Sequence, residues 1–300
     1  MTEPITQSRP LVAIDWGTTN RRLFLMDKDG ECHDEQADGW GVATLGKAAL
    51  AREVDALRTR YAGHDLLMAG MVGSSIGWRE VAYIPCPVNL GGLATALYRS
   101  GDGQGCIRLV PGVRTAPDDV PDVMRGEEIQ LLGAVEAGLV PPDCTICHPG
   151  THAKWVRLRG YAIQRFRTVM TGEIFALLKS GSILAPALVG KVEPNGAFLA
   201  GVAQGLASSA LAADLFSIRA RLLLETLAAE DAAAFCSGLL IGNDIRFGLD
   251  AIGRDPPLAL IGDPGLTALY AAALRVTGQS AIEVDGRAAF IAGARALAGR

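Results

Sequence analysis

Four kinds of feature are scarce or missing in this sequence, and each absence narrows what the protein can be. No run of about 18 consecutive apolar residues occurs, so no membrane-spanning helix is expected, although hydrophobic residues make up 49% of the chain. The opening segment MTEPITQSRP is polar and carries no apolar signal region, which sets the expectation of a cytoplasmic protein. A basic excess is also missing. Lys and Arg number 28 against 32 Asp and Glu, giving a net charge of -4 and a pI near 5.6. Such a chain offers no broad cationic face to a nucleic-acid backbone, and any phosphate must be held locally, by backbone amides and a few cations. Cysteine is sparse: of six, only Cys144 and Cys147 form a CxxC. That pair lies in an apolar stretch that reads as a strand, with no second CxxC to complete a zinc site, so reduced core thiols are expected.

What is present is 300 residues with 20% charged residues, enough for two ordinary domains or one large one and too apolar for disorder. Residues 11–16 (LVAIDW) and 21–27 (RRLFLMD) read as strands joined by the turn GTTN. Asp29-Gly30 reads as a hairpin turn into a third strand within 31–38. A doubly wound nucleotide fold would place a helix after the first strand instead. Helical periodicity covers 44–62, and 65–70 reads as a strand. Residues 71–92, rich in Gly, Ser, Pro and Trp, read as a long functional loop. A strand is expected at 107–110, a Pro-rich non-helical connection over 111–124, and a helix from about Gly126 to Ala137. After Pro141-Pro142 the opening pattern recurs, with strands expected at 144–150, 152–158 and 161–166. Helices dominate 172–250, and a strand (257–262), a helix (264–276), a strand (281–284) and a helix (287–298) follow. Two related domains, 1–140 and 141–300, explain the echo of strand, Gly-Thr turn and strands near residues 11 and 144.

Asp15-Trp16-Gly17-Thr18-Thr19-Asn20-Arg21-Arg22 concentrates what a nucleotide phosphate tail needs. Gly17 allows close backbone approach, Thr18 and Thr19 offer hydroxyls and amides, and Arg21 or Arg22 offers positive charge. Asp15 can hold Mg²⁺ through water. A second cluster, Gly73-Ser74-Ser75-Ile76-Gly77-Trp78-Arg79, follows a strand. Its hydroxyls and amides suit a carboxylate and hydroxyl groups, Trp78 offers an apolar face to a ligand, and Arg79 can pair with a carboxylate bidentately. Tyr83 and Pro85 extend that wall. The same residues also suit an ordinary Gly/Ser surface loop anchored by Trp78. His148 and His152 have the spacing of helical metal ligands, but Pro149-Gly150 forbids a helix between them.

The segment DxGTT between the first two strands resembles the first phosphate loop of the actin, hexokinase and sugar-kinase superfamily. DWGTTNRR, GMVGSSIGW, RGEEIQLLG, HPGTHAKWV, FRTVMTGE and LIGDP, in that order, resemble the 2-dehydro-3-deoxygalactonokinases over nearly the whole chain. The resemblance implies an α/β fold of two ribonuclease H-like (actin-like ATPase) domains flanking a nucleotide cleft. It implies ATP and Mg²⁺ as cofactors, a small-molecule sugar acid as partner, and phosphorylation of 2-dehydro-3-deoxygalactonate at its 6-hydroxyl in galactonate catabolism. On this resemblance Gly150 and Thr151 form a second phosphate loop, with Lys154 reaching the outer phosphates. His148-Pro149 stands where an acidic residue is common, so no second Mg²⁺ carboxylate is assigned there. Gly126-Glu127-Glu128 matches the position of a Gly-Asp-Gln segment whose aspartate is the base in related kinases, which makes Glu127 the counterpart of the base. The neighbouring Glu128 keeps that choice open. Gly262 and Asp263, ahead of a helix containing Tyr270, resemble an adenosine loop, with Gly242-Asn243 on the other side of the adenine. Thr168, Thr171 and Glu173 read equally as caps of a helix start. A kinase of another sugar or sugar acid, a nucleotide-binding sensor without transfer activity, and more weakly a phosphohydrolase stand as alternatives. No nucleic-acid or membrane partner is expected, and a homo-oligomer is left open.

Overall fold

A computed structural model describes residues 9–101, 105–254 and 257–299. β1 (Leu11–Trp16) is apolar on both faces and pairs antiparallel with β2 (Arg21–Met26), which pairs antiparallel with β3 (Cys32–Asp38). The helix expected over 44–62 is two helices, α1 (Val42–Leu45) and α2 (Lys47–Arg60), because Gly46 between them takes φ +71°. α2 buries Leu50, Val54 and Leu57 in the core of the sheet. β4 (Asp65–Gly70) then runs parallel to β1, with Asp15 beside Ala69 and Trp16 beside Gly70.

β5 (Ile84–Pro85), α3 (Leu90–Thr95), β6 (Tyr98–Gly101), β7 (Cys106–Leu109), β8 (Val113–Arg114) and β9 (Val123–Met124) lead into α4 (Glu127–Glu136). The six-stranded sheet has the order β3-β2-β1-β4-β7-β6, and β5-β8-β9 form a small separate sheet. That small sheet and α3 lie in stretches whose sequence reads as loop or connection.

The second half repeats the opening. β10 (Cys144–His148), β11 (Ala153–Arg159) and β12 (Ala162–Val169) form an antiparallel meander followed by helices α5 (Thr171–Gly181), α6 (Gly196–Ala207), α7 (Leu211–Leu223) and α8 (Ala232–Ile252). β13 (Leu258–Gly262), α9 (Pro264–Val276), β14 (Ala281–Asp285) and α10 (Gly286–Ala298) complete the described chain. The order β12-β11-β10-β13-β14, with β13 parallel to β10, reproduces the β3-β2-β1-β4 arrangement. Cys144 and Cys147 are buried in β10, and burial pushes the Cys144 thiol up to about 11 and that of Cys147 well above its ordinary value. These are inert core thiols.

α6 and α8 cross at backbone contact. A Cβ at Gly201 or Gly205 would lie 2.1 Å from the Phe235 carbonyl oxygen or 2.2 Å from that of Leu239. On the facing helix, a Cβ at Gly238 or Gly242 would lie 2.1 Å from the Phe198 oxygen or 2.3 Å from that of Val202. Only glycine fits at these positions.

The chain divides into two compact units. One comprises residues through Pro142, Gly160–Gln164, and the chain from Arg287 on; the other comprises Asp143–Arg159 and Arg165–Gly286. α10, which the sequence division at 140/141 leaves with the second half, therefore groups with the first unit. Phe290 packs on Phe24 at 5.2 Å between ring centroids, and Gly293 lies against α4, where a Cβ would stand 2.2 Å from the Ile129 oxygen. No helix among the described residues is long and apolar enough to cross a membrane.

Candidate active site

In the first unit the β1–β2 turn is shaped by backbone bonds, with one side-chain bond from Asn20 Nδ2 to Thr19 Oγ1. Gly17 N donates to Asn20 O at 2.9 Å, which closes the turn. Val42 N, Ala43 N and Gly41 N donate to the carbonyls of Gly17, Thr18 and Thr19 at 3.0–3.1 Å. The start of α1 thus takes up the turn's carbonyls, while Thr18 and Thr19 remain exposed. Gly41 must be glycine, since a Cβ there would lie 2.3 Å from Thr18 O. The sequence reading missed this residue, and the pair of glycines around Trp40 was its only local signal.

Asp15 is mostly buried beside this turn and accepts from Arg22 Nη2 at 2.7 Å. Burial pushes its carboxyl pKa up, Arg22 pulls it down, and the charge of Glu127 pushes it up again. The two arginines of β2 are placed differently from each other. Arg21, expected to serve a phosphate, is 4% exposed, and its guanidinium is engaged by Asp38 at 2.6 Å and Glu53 at 2.7 Å. It also stacks over Trp16 and Trp40 at 4.8 and 5.5 Å. Arg21 is committed to the core edge, and Arg22 is the arginine that meets Asp15. Asp15, Gly17, Thr19, Arg21, Arg22 and Asp38 are among the residues that line a cavity of about 570 Å³.

Glu127 reaches this region because two glycines adopt conformations that L side chains avoid. Gly70, at the end of β4, has φ +92°, and Gly126, at the start of α4, has φ +110°. A Cβ on Gly126 would lie 3.2 Å from Gly70 Cα, so the helix start closes directly on the strand ends. Glu127 is partly buried, and its Oε2 accepts from Arg125 N at 3.0 Å. Glu128 is fully buried, and its Oε2 accepts from Gly126 N at 2.6 Å while Oε1 has no partner. Burial and the charge of Glu127 push Glu128 up to about 8. Near neutrality Glu128 is thus largely protonated, and Glu127 is the better placed of the two to accept a proton.

The segment at 73–83 is tightly folded. Ser74 is buried and donates its hydroxyl to Met71 O at 2.7 Å, Val81 N donates to Gly73 O at 3.0 Å, and Ser75 is exposed. Trp78 packs partly against the core, and Arg79 lies 4.5 Å over the Tyr98 ring. Arg125 braces the segment from behind. It donates to Val81 O at 2.7 Å, lies 4.2 Å over the Tyr83 ring, and its Nη1 would stand 3.0 Å from a Cβ on Gly73.

In the second unit a Cβ at Gly150 would meet nothing within 4 Å, and Thr151 is exposed. Lys154 is 5% exposed and donates to His152 O at 2.9 Å, while His152 pairs with Glu173 at 2.5 Å. Gly262 is buried next to Pro149. Asp263 caps α9, accepting from Gly265 N at 2.9 Å and Leu266 N at 3.1 Å, so its carboxylate is occupied in holding the helix start. Gly242, read as lining an adenine, is instead taken up by the contact with α6. Among the described residues no three His, Cys, Asp or Glu side chains gather as a metal cluster.

Two units that each open with a meander and a Gly-Thr turn, followed by a parallel strand, define the actin-like ATPase and sugar-kinase fold. The activator of 2-hydroxyisocaproyl-CoA dehydratase from Clostridium difficile shares that fold, with a TM-score of 0.53 at 12% identity over 97% of this chain and 94% of its own. The family model described as 2-keto-3-deoxy-galactonokinase matches residues 15–297, and the chain belongs to that family. The 2-dehydro-3-deoxygalactonokinase of Escherichia coli K12 is 36% identical over 289 residues, 96% of this chain and 97% of that protein. A crystal structure from Sinorhizobium meliloti, provisionally described by the same activity, has a TM-score of 0.88 at 37% identity and covers 96% of this chain and 98% of its own.

Proposed function

We propose that this protein is an ATP-dependent kinase that phosphorylates 2-dehydro-3-deoxygalactonate at its 6-hydroxyl. The observation that carries the reading is the convergence, within one unit, of the exposed Gly17–Thr19 turn with the carboxylates of Asp15 and Glu127, in a member of this family. The turn's threonines offer amides and hydroxyls to a phosphate tail, and Gly150 and Thr151 offer a second such turn. Asp15 is one carboxylate beside polar, solvent-reached groups, and burial disfavours its charge while Arg22 favours it. That fits Mg²⁺, which binds through one or two carboxylates and keeps most of its waters. Bound there, Mg²⁺ would neutralise phosphate charge. Arg22 already supplies a cation on the same carboxylate. Glu127 accepts the proton of the attacking hydroxyl, and Arg125 N holds its carboxylate in place. The 73–83 segment binds the sugar acid, with Ser75 and Arg79 the exposed groups best suited to its carboxylate. A cytoplasmic location accompanies the reading.

The test is ADP release with Mg-ATP over a panel of hexoses, aldonates and 2-keto-3-deoxy acids. Turnover confined to 2-dehydro-3-deoxygalactonate or shared with its gluconate epimer supports the assignment. Glu127→Gln should then lower kcat by about 10²- to 10⁴-fold with ADP binding unchanged. ADP binding without turnover on any sugar acid would replace the kinase with a nucleotide sensor.

A further inference from the structure

The Gly150–Thr151 turn is braced from β11, where Lys154 Nζ donates to His152 O at 2.9 Å, and takes further contacts from α5. Glu173 N donates to Thr151 O at 3.0 Å. A Cβ at Gly172 would lie 2.5 Å from Gly150 O and 2.8 Å from Thr151 Cα, so the first turn of α5 lies directly on the phosphate turn. α5 is held in turn at its first residue, where Thr171 Oγ1 donates to Asp244 Oδ2 at 2.7 Å.

Asp244, on α8, is 1% exposed. Its carboxylate also accepts from Trp155 Nε1 at 2.8 Å, on the strand that leaves the turn, and from the Tyr270 hydroxyl, on α9, which Asp263 caps. All three donors are neutral, and burial pushes the Asp244 pKa up against their pull. Replacing buried charged groups by well-packed apolar ones is often neutral or stabilising, so core stability is a weak reason for a carboxylate here. Its three partners lie on β11, which leaves the Gly150–Thr151 turn, on α5, which packs on that turn, and on α9, which Asp263 caps.

We propose that Asp244 is a positioning residue for the nucleotide: by binding Thr171, Trp155 and Tyr270 together, it fixes the Gly150–Thr151 turn relative to the start of α9. The inference rests on the kinase reading in one respect, that these turns contact ATP. Misplacing a contact by about 1 Å can cost on the order of a hundredfold in rate, and a turn displaced by loss of one arm of the hub should also bind nucleotide more weakly.

The test compares Thr171→Val, which keeps shape and removes the hydroxyl, with Thr171→Ser, which restores it. Tyr270→Phe removes a donor from a different helix. ADP binding is measured by calorimetry on the full-length protein, together with KM for ATP, KM for the sugar acid and the melting temperature. Thr171→Val and Tyr270→Phe are expected to weaken ADP binding and raise KM for ATP by about tenfold or more. KM for the sugar acid should change less than about twofold, and Thr171→Ser should recover most of the loss. A lower melting temperature with unchanged ADP binding and KM for ATP would make the hub merely structural and overturn the proposal. A wild-type protein that binds no ADP would overturn both this and the kinase reading. ADP binding without sugar-acid turnover would overturn the substrate assignment alone, and the ADP titration would still decide the role of Asp244.

Discussion

Glu127 and Glu128 are adjacent and chemically identical, yet α4 gives one a partly open position and turns the other wholly inward. This has a consequence for stability against pH. Glu128 is raised from 4.5 to about 8 in the fold, so the folded state holds a proton that the unfolded chain releases. Its contribution is full below about 4.5 and is lost as pH rises towards 8. Glu128→Gln keeps the shape and cannot ionise. Thermal denaturation from pH 5 to pH 9 should therefore show the variant gaining on the wild type as pH rises, by up to a few kcal/mol. An unchanged difference across that range would mean that Glu128 is ionised in the fold. At this scale the sequence was informative where chemistry depends on neighbours along the chain, as in the Gly17–Thr19 turn. It was silent on strand register. Asp15 stands opposite Arg22, and Trp16 opposite Arg21, so side-chain alternation sends one arginine to the carboxylate and the other to the tryptophan face. The position of Asp244 was equally hidden, because its partners are brought together only by tertiary packing.

Among the elements, the long strands and helices were legible from periodicity, including the repeated meander. The small pieces were not. β5, β8 and β9 are two residues each, too short for any alternation to register. α3 carries Gly91 and Gly92 behind its Asn89 cap, which mask its helical character. The glycines of α6 and α8 form the contact surface between the two helices. Gly238→Ala tests this. In an exposed helix the change would stabilise by about 1 kcal/mol. Here the new methyl would stand 2.1 Å from the Phe198 oxygen, and forcing the helices apart costs roughly 3 kcal/mol, so overpacking should win. The expected result is a melting temperature lower by several degrees for the second unit, and a stabilised variant would show that the helix pair yields easily.

For the molecule as a whole, the return of α10 to the first unit matters most. Gly293 abuts the Ile129 carbonyl, and Phe290 covers Phe24. Gly293→Ala should therefore destabilise the first unit by roughly 2 kcal/mol or more. Limited proteolysis should then cut earlier in α4 and β2 than in α8 or β13, and uniform cleavage would contradict that placement. The place of α10 was not legible, since an amphipathic helix near the end of a sequence does not declare which sheet it covers. The ribosome meets the same ordering problem. α10 emerges only after the entire second unit has been synthesised, so during translation the nascent first unit must wait with Phe24 and the Ile129 side of α4 uncovered, open to chaperones or to a neighbouring nascent chain.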